Sequence, residues 1–233
     1  MKFIRLIYLI IIPICILFNA CENDKNGFTD KSEAKNEMVN GLKEGKWIEY
    51  EDSTKHSTTD INAPYYLLTI YKAGKPYGIE QRYYKSGKVF CVIPYIDGQK
   101  DGLSKGYYES GKLYFEVQFT KDKFGLEKRY YENGNLQSEL PRTDGIKNGI
   151  WKFYYENGSI YKEFPFVNNK KTGTEKQFYE NGKIEYEISF SNDVPDGEFK
   201  NYYENGNLES ETIYNNGVKG ETKHYDQTGK EIK

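Results

Sequence analysis

From about residue 41 onward the chain alternates, with an apolar side chain at every second position in segments such as LYFEVQF at 113–119 and IEYEISF at 184–190. Period two is the pattern of a strand with one covered face. Glycines at a fixed interval separate these segments. Taking the glycine ahead of each aromatic pair, Gly78, Gly102, Gly125, Gly149, Gly173, Gly197 and Gly220, the steps are 24, 23, 24, 24, 24 and 23 residues. Gly45 opens a divergent first copy, whose 33-residue step to Gly78 contains the insertion STKHSTTDINAP. About eight copies of about 24 residues result, the last cut short by the chain end. A period in this range predicts a repeat array in which each unit covers only its neighbours.

With the repeat glycine as place zero, aromatics stand at the fifth and sixth places and a second glycine at the ninth: Gly87, Gly111, Gly134, Gly158, Gly182, Gly206 and Gly229. Asn-Gly between apolar runs predicts a β-hairpin, closed by a two-residue type I′ turn or by a three-residue loop with a bulged glycine. The charge pattern favours the two-residue loop, which opposes the third and fourteenth places. Those places hold Lys105 and Glu116, Lys128 and Glu139, Lys152 and Glu163, Lys176 and Glu187, Lys200 and Glu211. Unlike charges are favourable cross-strand partners, and the copy with Gln81 in place of lysine also has Val92 in place of glutamate.

This register sends Trp151, Phe153 and Tyr155 to one face with Ile160, Lys162, Phe164 and Phe166, and the lysine-glutamate ladder to the other with the first tyrosine of each pair. Pro94, Pro141 and Pro165 share the sixteenth place. Proline has no N–H for a ladder, so an edge or a break in pairing to the next hairpin is expected there. The expected fold is all-β, an elongated single-layer solenoid of consecutive antiparallel β-hairpins over residues 41–233.

Composition agrees with a thin core: 233 residues are 37% hydrophobic and 16% aromatic, with 23 tyrosines. Tyrosine suits a half-wet layer. A formal charge of −2 gives no basic footprint for nucleic acid. The N-terminus differs from the rest. Lys2 and Arg5 precede an uncharged apolar run from Leu6 to Phe18 and the junction Ala20-Cys21, which predicts a signal peptide over 1–20. The junction resembles a bacterial lipoprotein processing site, with Cys21 the lipidated residue. Removal of 1–20 takes Cys15 and leaves 31 basic against 35 acidic side chains. A lipidated Cys21 then leaves Cys91 without a disulfide partner. The polar, aperiodic stretch after Cys21, through residue 40, is expected to be a flexible tether.

Candidate chemistry is sparse. His56 and His224 lie far apart in the repeat and are expected on the surface; Cys91 is expected as a small buried thiol. The column Glu116, Glu139, Glu163, Glu187 and Glu211 offers five similar environments, whereas acid/base chemistry needs two distinct ones. Asp97, Asp101 and Asp144 lack a loop with enough oxygen ligands for calcium. No catalytic residue, metal or cofactor is expected. The best candidate for function is the fifth-place aromatic column, Tyr83, Tyr107, Tyr130, Tyr154, Phe178, Tyr202 and Tyr225. Stacked rings on one face bind protein or sugar; they also stabilise each other across strands. Both readings stay open.

In register, GIWKFYYENGSIYKEFPFVNNKKTG at 149–173 and GEFKNYYENGNLESETIYNNGVKG at 197–220 resemble the bacterial variant of the MORN (membrane occupation and recognition nexus) repeat. The resemblance covers residues 41–233. It implies an elongated, twisted array of hairpins and a binding or scaffolding role, with no active site to carry over. Many bacterial relatives carry the description of toxin-antitoxin antitoxin. The expected function is a non-enzymatic scaffold at the bacterial cell envelope, periplasmic or surface-exposed, lipid-anchored to the membrane and binding a protein or glycan. The alternatives are an antitoxin or immunity-type protein that covers a toxin and, more weakly supported, an envelope enzyme acting on glycans.

Overall fold

A computed structural model describes residues 28–232, so the expected signal peptide over 1–20 and Cys21 lie outside the described residues. Antiparallel strands follow one another in a meander, from Glu37–Val39 and Leu42–Glu51 through Tyr65–Lys72, Lys75–Tyr84 and Val89–Ile96 to Leu208–Asn215, Val218–Tyr225 and Glu231–Ile232. They form one long, open, antiparallel sheet of 20 strands. Each ladder joins stretches that succeed one another along the chain, so side chains meet across strands within a copy and between adjacent copies.

The expected charge register is present. Lys105 faces Glu116, Lys128 faces Glu139, Lys152 faces Glu163, Lys176 faces Glu187 and Lys200 faces Glu211, and Gln81 faces Val92. The loop that produces it is not the expected one. The N–H of Tyr108 donates to the Lys112 carbonyl and that of Gly111 to the Tyr108 carbonyl, both at 2.8 Å. Within this loop only Gly111 has a positive φ, 90°. This is the three-residue loop with a left-handed glycine.

A β-bulge restores the ladder that such a loop displaces by one residue. Tyr107 faces Leu113 while Gly106 faces Phe115, which leaves Tyr114 unopposed. The bulge recurs at Phe90, Gln137, Tyr161, Glu185 and Glu209. Two one-residue irregularities cancel, and the charge pattern reports only their sum. The bulge also moves Ile160 to the face of Tyr154, which it opposes; Tyr155 packs instead against the bulged Tyr161, with centroids 5.0 Å apart. Type I′ turns, with positive φ at both central residues, lie at the other edge of the sheet, between copies: Asp97-Gly98 (51° and 81°), Asn168-Asn169 (50° and 70°) and Asn192-Asp193 (51° and 72°).

The sixteenth-place prolines interrupt pairing as expected. Val92 pairs with Lys105 and Tyr95 with Lys100, with no ladder pair between them at Pro94; Pro165 sits in the same gap. Where Ser189 or Ile213 replaces proline, the gap narrows to that one residue, since Ile188 pairs with Phe199 and Thr212 with Thr222, and the next strand runs unbroken over Val194–Tyr202 or Val218–Tyr225. The ring also approaches the next repeat glycine. A Cβ on Gly173, whose φ is 110°, would lie 2.9 Å from Pro165 Cγ.

The described part of the expected tether, residues 28–40, is folded onto the sheet, which corrects that expectation. Phe28 is 1% exposed and packs against Leu68 and Tyr83. Asp30 caps a 3-10 turn at Lys31–Glu33. Asn36 exchanges side-chain bonds with the Ile48 backbone at 2.9 and 3.2 Å, and Glu37–Val39 adds a strand against Leu42–Glu44. One aromatic in a polar stretch carries no periodic signal, yet it is sufficient to cover the start of the sheet.

Candidate functional site

Alternation places the first, third and fifth places of each copy on one face, called the outer face below. At its start the fifth-place column is covered: Tyr83 is 6% exposed beneath Phe28, and its hydroxyl donates to Gln81. Tyr107, Tyr130, Tyr154, Phe178, Tyr202 and Tyr225 are half-buried.

The column is held by the ladder beside it. Tyr130 donates to Glu116 at 3.0 Å, Tyr154 to Glu139 at 3.0 Å, Tyr202 to Glu187 at 2.7 Å and Tyr225 to Glu211 at 2.7 Å. Each acceptor belongs to the preceding copy. Glu116 and Glu139 are also paired with Lys105 and Lys128, both at 3.1 Å. Burial and the neighbouring carboxylate push the Tyr130 and Tyr154 hydroxyls up to about 12. Burial would raise Glu139, but hydrogen bonds from Lys128 and Tyr154 hold it below the ordinary carboxylate range. Tyr107 faces a copy with Val92 where the acceptor would stand, and Phe178 has no hydroxyl. Glu116, Glu139, Glu187 and Glu211 are thus ring anchors in similar settings, an arrangement without distinct acid and base.

Beside this column runs an apolar one at the first place: Leu103, Leu126 and Ile150 are 45%, 41% and 49% exposed. The first place turns polar in the last three copies, at Thr174, Glu198 and Glu221. Repeat alignment makes this change visible, and only exposure shows that these side chains stay uncovered.

The sixth-place tyrosines form a latch that the charge and hydropathy patterns did not signal. Their hydroxyls donate to the backbone carbonyl at the fifth place of the following copy: Tyr84 to Tyr107 at 2.9 Å, Tyr108 to Tyr130 at 2.7 Å, Tyr131 to Tyr154 at 2.7 Å, Tyr155 to Phe178 at 2.8 Å, Tyr179 to Tyr202 at 2.7 Å and Tyr203 to Tyr225 at 2.8 Å. Six copies keep tyrosine at this place, whereas the fifth place admits phenylalanine once. A hydroxyl requirement is the readable signal.

The opposite face is less apolar than alternation implied. Glu80, Glu127 and Glu175 are buried there, where Arg82 meets Glu80 at 2.9 Å, Arg129 meets Glu127 at 2.6 Å and Lys162 meets Glu175 at 2.6 Å. Cys91 is 4% exposed, and burial pushes its thiol up to about 11, far from a reactive thiolate. His56 and His224 are exposed. Asp97 and Asp144 open positive-φ turns.

A profile for the MORN repeat variant matches six stretches of the chain, residues 76–97, 100–121, 125–144, 147–168, 171–192 and 195–216. No curated protein matches it significantly. Among solved structures the chain is similar to an S. aureus TarM mutant in complex with fondaparinux, alpha-GlcNAc-glycerol and UDP, at 15% identity and TM-score 0.29, over 41% of this chain and 19% of that one. A second crystal structure of TarM matches at 15% identity and TM-score 0.29, over 45% and 21%. The chain spans about a fifth of the length of these proteins.

Proposed function

Because the chain belongs to the MORN repeat variant family, we propose that it is a non-enzymatic repeat scaffold that binds a protein or glycan partner through the outer face of its sheet, anchored at a bacterial cell envelope by a lipid on Cys21. The exposed apolar column Leu103, Leu126 and Ile150, beside aromatic rings pinned by hydrogen bonds, is the observation that carries this reading. Exposed apolar patches with polar surroundings are interaction surfaces. Here the pattern recurs every second strand, about 9–10 Å, on rings whose orientation is set before a partner arrives, which lowers the ordering cost of binding. The charged start, apolar run and Ala20-Cys21 junction support the anchor.

Crosslinking pull-down from the native cells tests the surface. Changing Tyr107, Tyr130 and Tyr154 together to serine, or Leu103, Leu126 and Ile150 together to serine, should abolish partner capture at a temperature where circular dichroism shows both variants folded. Undiminished capture by both sets would remove the outer face from consideration. A toxin as the captured partner would turn the scaffold into an inhibitor. Palmitate-analogue labelling that is equal in wild type and Cys21→Ala would refute the anchor.

A further inference from the structure

On the face opposite the aromatic column, a cavity of about 510 Å³ opens over Val89–Ile96, Gly102–Tyr107, Leu113–Thr120 and Lys123–Tyr130. The hollow exists because one copy is small where its neighbours are large. Its second and fourth places are Ser104 and Gly106, against Glu80 and Arg82 before and Glu127 and Arg129 after. Gly106 gives Phe115 room to lie across the strand: a Cβ there would fall 2.1 Å from the Phe115 ring. Ile93, Phe115, Val117 and Phe119 form an apolar floor.

Five cations line the cavity: Lys55, Arg82, Lys100, Arg129 and Arg142. Arg82 is engaged by Glu80 at 2.9 Å and Glu51 at 3.2 Å, and Arg129 by Glu127 at 2.6 Å. Among the described residues, Lys55, Lys100 and Arg142 have no such carboxylate. Their partners are aromatic faces. Lys55 Nζ lies 2.7 Å from the Tyr65 centroid and 4.1 Å from that of Phe90, Lys100 Nζ is 5.4 Å from Phe119, and the Arg142 guanidinium is 5.0 Å from Trp151 and 5.8 Å from Phe124. Lys55 comes from the insertion particular to the first copy.

Three buried side-chain polar atoms lack a hydrogen-bond partner among the described residues, Lys55 Nζ, Ser104 Oγ and Arg142 Nε, and all three belong to residues lining this cavity. Ser104 is 2% exposed. A buried donor without an acceptor is destabilising, and three lining one cavity, all able to donate, call for an acceptor from outside the chain. Burial pushes the Lys55 ammonium down to about 8 even though Glu51 opposes the shift, as befits a cation short of a counter-charge.

We propose that the cavity binds a small organic anion, a carboxylate or phosphate on a ring-sized apolar body, with the body on the Phe115, Val117 and Phe119 floor and the anionic group received by the Ser104 hydroxyl and the unpaired cations. The volume suits such a molecule. This site does not depend on the outer face or on its partner.

Isothermal titration of the full chain with phenyl phosphate, phenylacetate, inorganic phosphate and benzyl alcohol tests it. Phenyl phosphate or phenylacetate should bind at least about tenfold more tightly than inorganic phosphate and benzyl alcohol, since either half alone forfeits the other's contacts. Comparison of the two aromatic anions tells phosphate from carboxylate. Lys55→Met or Arg142→Met should weaken the better probe about tenfold or more, whereas Lys152→Met on the outer face should leave it unchanged. Lys55→Arg, which keeps the charge, should bind within about threefold of wild type, separating lost charge from lost folding. Four results would each overturn the proposal: no binding of either aromatic anion at millimolar concentration, equal binding of benzyl alcohol, equal binding of inorganic phosphate, or indifference to both Lys55→Met and Arg142→Met.

Discussion

Replacing Tyr131 by phenylalanine removes one oxygen, the donor to the Tyr154 carbonyl at 2.7 Å. The ring keeps its packing, so the change isolates a single half-buried hydrogen bond. Such a bond contributes about 1 kcal/mol net, within about 0.5–1.5, and the loss includes stranding the carbonyl it leaves behind. Because the bond joins one copy to the next, the loss falls on the nearest-neighbour coupling that holds a linear array together. Changing Tyr108, Tyr131 and Tyr155 together should therefore cost about 3 kcal/mol, since their acceptors are three separate carbonyls and independent sites add. Urea unfolding followed by the fluorescence of Trp47 and Trp151 measures this, with Tyr161→Phe as control. Tyr161 packs on Tyr155 but its exposed side chain latches no neighbouring copy, so its change should stay within about 0.5 kcal/mol. Weakened coupling should also broaden the transition of the triple variant as the two ends of the array separate. If Tyr131→Phe and Tyr161→Phe shift the midpoint equally, the sixth-place hydroxyls carry no coupling and the latch is refuted.

Gly173→Ala should lower stability by about 2 kcal/mol in thermal melting, because a side chain meets both the positive φ of 110° and Pro165 Cγ at 2.9 Å; a neutral result would mean that the proline contact relaxes freely. Reversing Lys128 and Glu139 together should recover about 0.5 kcal/mol of the summed single losses in a double-mutant cycle, as expected of a half-exposed cross-strand pair. Glu139 is held low in the fold by Lys128 and Tyr154, so its contribution is complete above the unfolded carboxylate value of about 4.3 and is lost as pH falls through its lower folded value. An NMR titration of that carboxyl at or above the unfolded value contradicts this. Lys55→Met should stabilise the protein at pH 7, with the gain shrinking as pH rises from about 8 toward 10.5, because over that range the unfolded chain binds the proton that folded Lys55 has released. Denaturant midpoints of both proteins across that range check the sign.

Local regularities determined the parts of this protein that were legible from its residues. A 24-residue period, alternation within strands and matched gain and loss of charge at opposed places specify antiparallel hairpins and their net register, because each depends on neighbours a fixed number of residues apart. Pro94 and Pro165 widen a break in pairing that recurs at Ser189 and Ile213, for an equally local reason, the missing N–H. Tertiary structure decided what depends on compensation or on reach between copies. The three-residue loop and the bulge at Tyr114 cancel in the ladder, so no pattern of opposed charges distinguishes them from a plain type I′ turn. Phe28 buries Tyr83, in a column otherwise half-buried, through a contact more than fifty residues distant in the chain, with no periodicity to announce it. The Tyr131 hydroxyl finds a backbone carbonyl, an acceptor every residue carries and none advertises. Ser104 and Gly106 were readable as small residues, but the hollow above them required the geometry that brings Lys55, from the insertion, and Arg142, from beyond the next hairpin, to its walls. Side-chain size is a property of one position, whereas a cavity is a property of everything that fails to fill it.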